Sequence, residues 1–167
     1  MQQRKLSGVV VPVGTPLTDG DRVDTGGLRR LTRYLLQGGV HTLFANGTMG
    51  GFAFMTDGEQ MRAIETVVDE AGGKLPVMAG LGETSTSRAV PRARDMARTG
   101  VQFLSVLPPF YFFAGQDHLV AYFSEIASAV DLPIVVYDNP VLTKNPLDDI
   151  ANMRAIDEVY LGGKKFE

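Results

Sequence analysis

Cysteine is absent from the 167-residue chain, and histidine occurs only twice, at His41 and His118. Without thiols there is no disulfide staple, no thiolate nucleophile and no Cys-based zinc site. A Ser-His-Asp triad or a His-rich metal centre would have to use one of those two histidines, so no metal is expected. An excess of positive charge is missing too. Sixteen Lys and Arg stand against 19 Asp and Glu, a formal net charge of −3, so no broad basic surface invites nucleic acid or anionic lipid. No apolar run approaches the roughly 20 residues that span a bilayer. The opening "MQQRKLSGVV" lacks the apolar core and small-residue cleavage pattern of a signal peptide. The expectation is a cytoplasmic protein without a membrane segment.

What is present suits a globular domain. At 44% hydrophobic and 21% charged residues, the composition lies far from the disordered and collagen-like classes. Two patterns then alternate along the chain. "GVVVPVGTP" from Gly8 is apolar and β-branched, and the next segment places Leu28, Leu31 and Leu35 at helical spacing. "VHTLFANG" reads as a second strand. Thr56 and Glu59 then form a capping box before a helix with Met61, Ile64, Val67 and Val68 on one face. "LPVMAG" is a third strand, followed by a helix over about Thr86 to Arg98 that Pro91 should kink or delay. "VQFLSVLPP" is the fourth strand, and Leu119, Tyr122, Phe123 and Ile126 mark the next helix. "LPIVVYDNP" is the fifth. Asn145 and Pro146 look like an N-cap and a first-turn proline opening a helix with Ile150 and Met153, and "VYLGG" is the sixth strand.

Six strands and five helices therefore alternate strictly. The strands are apolar on both faces, as in parallel sheets covered by helices. The repeat of roughly 30 residues is what ~250 residues shared among eight units of a β/α barrel would give. A doubly wound open sheet would show the same alternation. Six barrel strands cannot close, and an open arc exposes two strand edges. The chain is therefore expected to be the N-terminal portion, residues 1–167, of a single (β/α)8 barrel domain, with the remaining units and any C-terminal helices lying beyond it.

In such barrels chemistry gathers at the C-terminal ends of the strands. Polar residues stand at four of those ends: Thr48 in "NGTMGG", Tyr111 in "PPFYF", Tyr137 in "YDNP" and Lys164 after "VYLGG". Burial at a barrel mouth disfavours a charged ammonium, and a neutral amine attacks ketones to give an imine that withdraws electrons from the adjacent carbon. Phenols and a hydroxyl can carry the protons of those steps. The turn Gly47-Thr48-Met49-Gly50 can offer backbone N–H groups to a carboxylate. Each residue also has a plain structural reading. Lys164 would be a solvated strand end, Tyr111 a packed member of the aromatic run "FYFF", and Tyr137 a lining phenol. "GTMGG" would be a tight turn, and the histidines surface residues.

Taken in order, "GTxG", "PPFYF", "VYDNP" and "GGK", with "GVVVPVGTPLTDGDRVD" and "PVMAGLGETSTSRAV", resemble the dihydrodipicolinate synthase/N-acetylneuraminate lyase family of class I pyruvate-dependent aldolases. The resemblance covers nearly the whole chain. It implies a (β/α)8 barrel assembled as a homo-oligomer, a dimer or more usually a tetramer. It implies pyruvate and a small aldehyde or keto acid as partners, and no cofactor, because a lysine serves as electron sink. Lys164 matches the Schiff-base lysine and Tyr137 the tyrosine that moves protons at the imine. Thr48 matches the hydroxyl linking Tyr137 to a second tyrosine, which Tyr111 matches. The carboxylate of pyruvate would rest on Gly47, Thr48, Met49 and Gly50.

Four departures matter. Met49 stands where a second hydroxyl is common, a loss of roughly 0.5–1.5 kcal/mol of hydrogen bonding. Gly51 stands where glutamate is common, and Lys165 where an acidic residue is. Leu142 occupies the place of the arginine that holds the carboxylate of aspartate semialdehyde in true dihydrodipicolinate synthases. That last change favours N-acetylneuraminate lyase-like or keto-deoxy sugar acid chemistry over 4-hydroxy-tetrahydrodipicolinate synthesis. A carboxylate-binding relative without catalysis and an inactive truncated fragment are the competing readings.

Overall fold

The computed structural model describes residues 6–148 and, beyond them, the backbone of Tyr160–Leu161 and Lys164–Lys165. Five parallel strands run in the order of the chain: β1 (Val10–Pro12), β2 (Thr42–Ala45), β3 (Val77–Leu81), β4 (Phe103–Val106) and β5 (Ile134–Val136). Between them lie α1 (Thr25–Gln37), α2 (Asp57–Ala71), α3 (Thr86–Arg98) and α4 (Gln116–Ala129), and a single turn, α5 (Pro140–Thr143), follows β5. Every residue of β3, β4 and β5 is buried, as strands covered on both faces must be. No helix among the described residues is long and apolar enough to cross a membrane.

Contacts divide the chain into two compact units, Met1–Gly80 with Arg98–Phe103, and Leu81–Ala97 with Leu104–Glu167. In the first, β1 pairs with β2 and β2 with β3. Asp24 caps α1 by accepting the Gly27 N–H at 2.9 Å. Thr56 caps α2 by accepting the Glu59 N–H at 3.4 Å. The capping box expected there is half made. Instead of turning back on the cap, the Glu59 carboxylate accepts the Val23 N–H at 2.7 Å, tying the segment before α1 to α2. Leu28, Leu43, Ile64, Val67 and Val77 form the core, each at most 2% exposed. Burying each such side chain is worth about 1.5–3 kcal/mol. His41 acts structurally, since its Nδ1 accepts the Val9 N–H at 3.0 Å and fixes the approach to β1.

In the second unit β4 pairs with β5, and Leu104, Leu119, Phe123, Ile126 and Val136 make the core. Helix α3 starts at Thr86 and carries Pro91 inside it, so the proline does not delay the start. It costs the helix one i→i−4 hydrogen bond near its first turn. The buried residues of α3 are Ala89, Arg92, Ala93 and Met96.

The end of the chain departs from expectation. Tyr160–Leu161 does not join the parallel sheet as a sixth strand; as β6 it pairs antiparallel with β7 (Lys164–Lys165). Two glycines separate β6 from β7 in the sequence, a composition that favours two-residue hairpins. Asn145, Pro146, Leu147 and Asp148 are not helical, and the helix expected over Ile150 and Met153 lies outside the described residues.

Candidate active site

In the first unit the turn after β2 carries the residues expected to bind a carboxylate. Thr48 and Met49 are exposed, with Met49 at 68%, while Gly47 and Gly50 are buried beneath them. The Gly51 N–H donates to the Thr48 carbonyl at 3.0 Å and closes the turn. Asn46, which the sequence reading passed over, holds it in place. Its φ of 56° is left-handed and it is 1% exposed. Its Nδ2 donates to the Gly80 carbonyl at 2.9 Å and to Gln60 Oε1 at 3.1 Å. Gln60 Nε2 in turn donates to the carbonyls of Phe52 (3.0 Å) and Met55 (3.2 Å). The Asn-Gly pair was the available signal, because asparagine tolerates the left-handed region. Gly80 is required by space: a Cβ there would lie 2.4 Å from the Asn46 carbonyl oxygen. Gly51, at φ 70°, occupies a conformation that glutamate would adopt only under strain.

The second unit holds the two tyrosines. Tyr137 follows β5, half-buried, with its N–H donating to the Val106 carbonyl at 2.9 Å. Its hydroxyl accepts from Asn139 Nδ2 at 3.4 Å. Tyr111 corrects the packing expectation. It is 76% exposed, with Phe112 at 74% and Phe113 at 79%, and meets Phe112 edge-to-face at 4.8 Å. The two prolines before the run and the left-handed φ of 84° at Tyr111 turn the loop outward. A side chain larger than glycine stores about 1–3 kcal/mol in that conformation.

Two further groups in this unit escaped the sequence reading. Glu83, just past β3, is 5% exposed and accepts from Arg88 Nε at 2.7 Å, with Arg92 Nε at 3.4 Å on its other oxygen. Tyr122 is buried nearby, and burial first, then the Glu83 charge, pushes its phenol well above the ordinary range. Asp138 is pushed up by burial and by Asp148, against a hydrogen bond from the Leu147 N–H. Glu83 with arginines five and nine residues on was visible as a pattern, but only the fold shows that the carboxylate is buried. Thr48 thus belongs to the first unit and Tyr111 and Tyr137 to the second. The Lys164 side chain lies outside the described residues.

Comparison with known proteins places this arrangement. The sequence matches the Dihydrodipicolinate synthetase family over residues 5–159. The chain belongs to that family. A 4-hydroxy-tetrahydrodipicolinate synthase of Methylobacterium radiotolerans is 36% identical over 140 residues, 84% of this chain and 46% of that protein. An uncharacterized DapA-like lyase of Halobacterium salinarum is 36% identical over 92% of this chain and 50% of its own length. This member of the dihydrodipicolinate synthetase family thus spans about half the length of the curated relatives it matches. Among solved structures, the chloride-inhibited dihydrodipicolinate synthase of Acinetobacter baumannii complexed with pyruvate superposes with a TM-score of 0.88 at 25% identity. That match covers 94% of this chain and 56% of the other. The Aquifex aeolicus dihydrodipicolinate synthase gives 0.82 at 30% identity over 85% of this chain and 48% of that one. The α/β class read from the alternation, and the barrel that the resemblance implied, are those of these family members, and the five-stranded parallel sheet corresponds to part of such a barrel.

Proposed function

We propose that the chain serves an imine-forming carbon–carbon lyase that uses pyruvate. The Lys164 amine adds to the keto carbon of pyruvate, and loss of water gives an imine whose positive nitrogen acidifies the neighbouring methyl group. Removal of a proton there leaves an enamine, which adds to the carbonyl carbon of an acceptor aldehyde. Tyr137 carries protons at the imine, and Tyr111 and the Thr48 hydroxyl are the further proton carriers that the family resemblance implies. The turn around Thr48 and Met49 receives the carboxylate through backbone N–H groups. The protein works as a homo-oligomer in the cytoplasm.

The observation that carries this reading is the family match over residues 5–159. The half-buried Tyr137 at the end of β5, its hydroxyl held by Asn139, supports it, and one solved relative was captured with pyruvate. For the acceptor, the relatives' names favour 4-hydroxy-tetrahydrodipicolinate synthesis over the sugar-acid chemistry expected from the sequence, and that condensation is our first reading. The sugar-acid lyase is second, carried by Leu142, an apolar residue 55% exposed that offers no charge to a semialdehyde carboxylate.

Borohydride reduction of the intact protein with pyruvate is expected to leave one stable mass adduct on Lys164 and none in Lys164→Ala. Trapping that survives the substitution removes the assignment. Turnover of pyruvate with aspartate semialdehyde, set against cleavage of keto-deoxy sugar acids, decides between the two acceptors.

A further inference from the structure

Asn145 is 0% exposed, and three of its side-chain hydrogen bonds go to one loop, the aromatic segment between β4 and α4. Its Oδ1 accepts the Ala114 N–H at 2.7 Å. Its Nδ2 donates to the carbonyls of Pro109 at 2.7 Å, Phe112 at 2.9 Å and Thr143 at 3.3 Å. The three loop contacts bracket Tyr111 on both sides. Tyr111 is itself left-handed and mostly exposed, so its own packing does little to hold it there. Asn145 holds the loop's backbone on both sides of Tyr111.

The same asparagine is joined to the end of β5. Its N–H donates to Thr143 Oγ1 at 3.3 Å, and Thr143 Oγ1 lies 3.0 Å from the Asn139 carbonyl, to which it donates. Asn139 Nδ2 donates to the Tyr137 hydroxyl. One run of hydrogen bonds therefore extends from the Tyr137 phenol through Asn139, Thr143 and Asn145 to the loop bearing Tyr111. Gln116 fastens the far side: its Nε2 donates to the Pro146 carbonyl at 2.9 Å, and its Oε1 accepts the Asp148 N–H at 3.1 Å. Only an amide has both the donors and the acceptor this place needs. Aspartate would face three carbonyls without a donor, and leucine would leave those three and the Ala114 N–H without this partner.

We infer that Asn145 is a positioning residue that fixes the Tyr111 loop and affects turnover through Tyr111. The link to turnover rests on the proton-carrying role proposed above. In the intact protein, Asn145→Ala is expected to speed hydrogen–deuterium exchange at the Ala114 amide by about tenfold or more, with the amides of β4 within about twofold. It should lower kcat about tenfold while KM for pyruvate stays within about twofold. In a Tyr111→Phe background the kcat loss from Asn145→Ala should vanish, because both changes remove the same contribution. Should Asn145→Ala fail to fold, Asn145→Asp keeps the acceptor for Ala114 and should lower kcat while that amide stays slow. Unchanged exchange at Ala114 in Asn145→Ala, or kcat losses that multiply in the double variant, overturns the inference. If Tyr111→Phe alone leaves kcat at the wild-type value, the proton-carrying role of Tyr111 falls and the link to turnover with it. Exchange at Ala114 then decides the positioning claim by itself.

Discussion

Two strand-end loops, one in each unit, are organised by a buried asparagine, and the two asparagines differ in where they stand, one inside its turn and one outside its loop. Asn46 belongs to the turn it shapes and reaches Gln60, 14 residues on, and Gly80, 34 residues on. Asn145 stands outside its loop and reaches back 31 to 36 residues to Ala114, Phe112 and Pro109. The first turn is framed by glycines and lies close to β3. The second projects aromatic side chains and owes its shape to a distant amide. Both loops depend on distant partners, but the first carries its organising amide within the turn, whereas the second depends on the segment that brings Asn145 to it.

The contrast can be broken hardest at Gly80. Gly80→Ala drives a Cβ onto the Asn46 carbonyl, a backbone clash that no rotamer relieves, and should cost roughly 3 kcal/mol in urea denaturation of the intact protein. A cost below about 0.5 kcal/mol would mean that the turn moves freely, contrary to the comparison. Asn46→Ala should cost about 2 kcal/mol by stranding buried acceptors and placing alanine at positive φ. Asn46→Gly keeps the conformation and should cost less; equal losses would show that the backbone angle is irrelevant. On the other side, Tyr111→Gly should stabilise by about 0.5–1 kcal/mol as the stored strain is released. A loss of stability would show that the aromatic run is packed after all. The smallest effect belongs to Asp138. Its carboxyl is held above the ordinary range in the folded state, so folding retains a proton that the unfolded chain releases. Stability therefore falls as pH rises through the window just above the usual aspartate value. Asp138→Asn should flatten that fall and raise Tm by about 1–2 °C at neutral pH. An unchanged pH profile would remove the carboxyl from this account.

The alternation of five strands with four helices was legible because its signals are local: apolar runs, helical spacing, and the cap at Thr56. The site was legible only as a set of residue types at strand ends. What the sequence hid has one physical character, partners far apart along the chain. Nothing near Tyr111 announces that its backbone turns left-handed, since the amide responsible lies at position 145. An aromatic run reads as core by composition, and only the fold shows it facing outward. Glu59 was correctly placed near a helix start, yet it serves the backbone of Val23, 36 residues away. The antiparallel pairing of β6 with β7 was missed because an apolar run before paired glycines also fits a barrel strand.

Tyr122 sets an alkaline limit for the second unit. Its phenol is sealed from solvent beside the Glu83 carboxylate, so the native chain keeps that proton after an unfolded chain has surrendered it. In strong base, each unfolding event therefore releases a proton that the native fold withholds. Spectrophotometric titration would find this ring ionising late, and abruptly, as the helices around it give way.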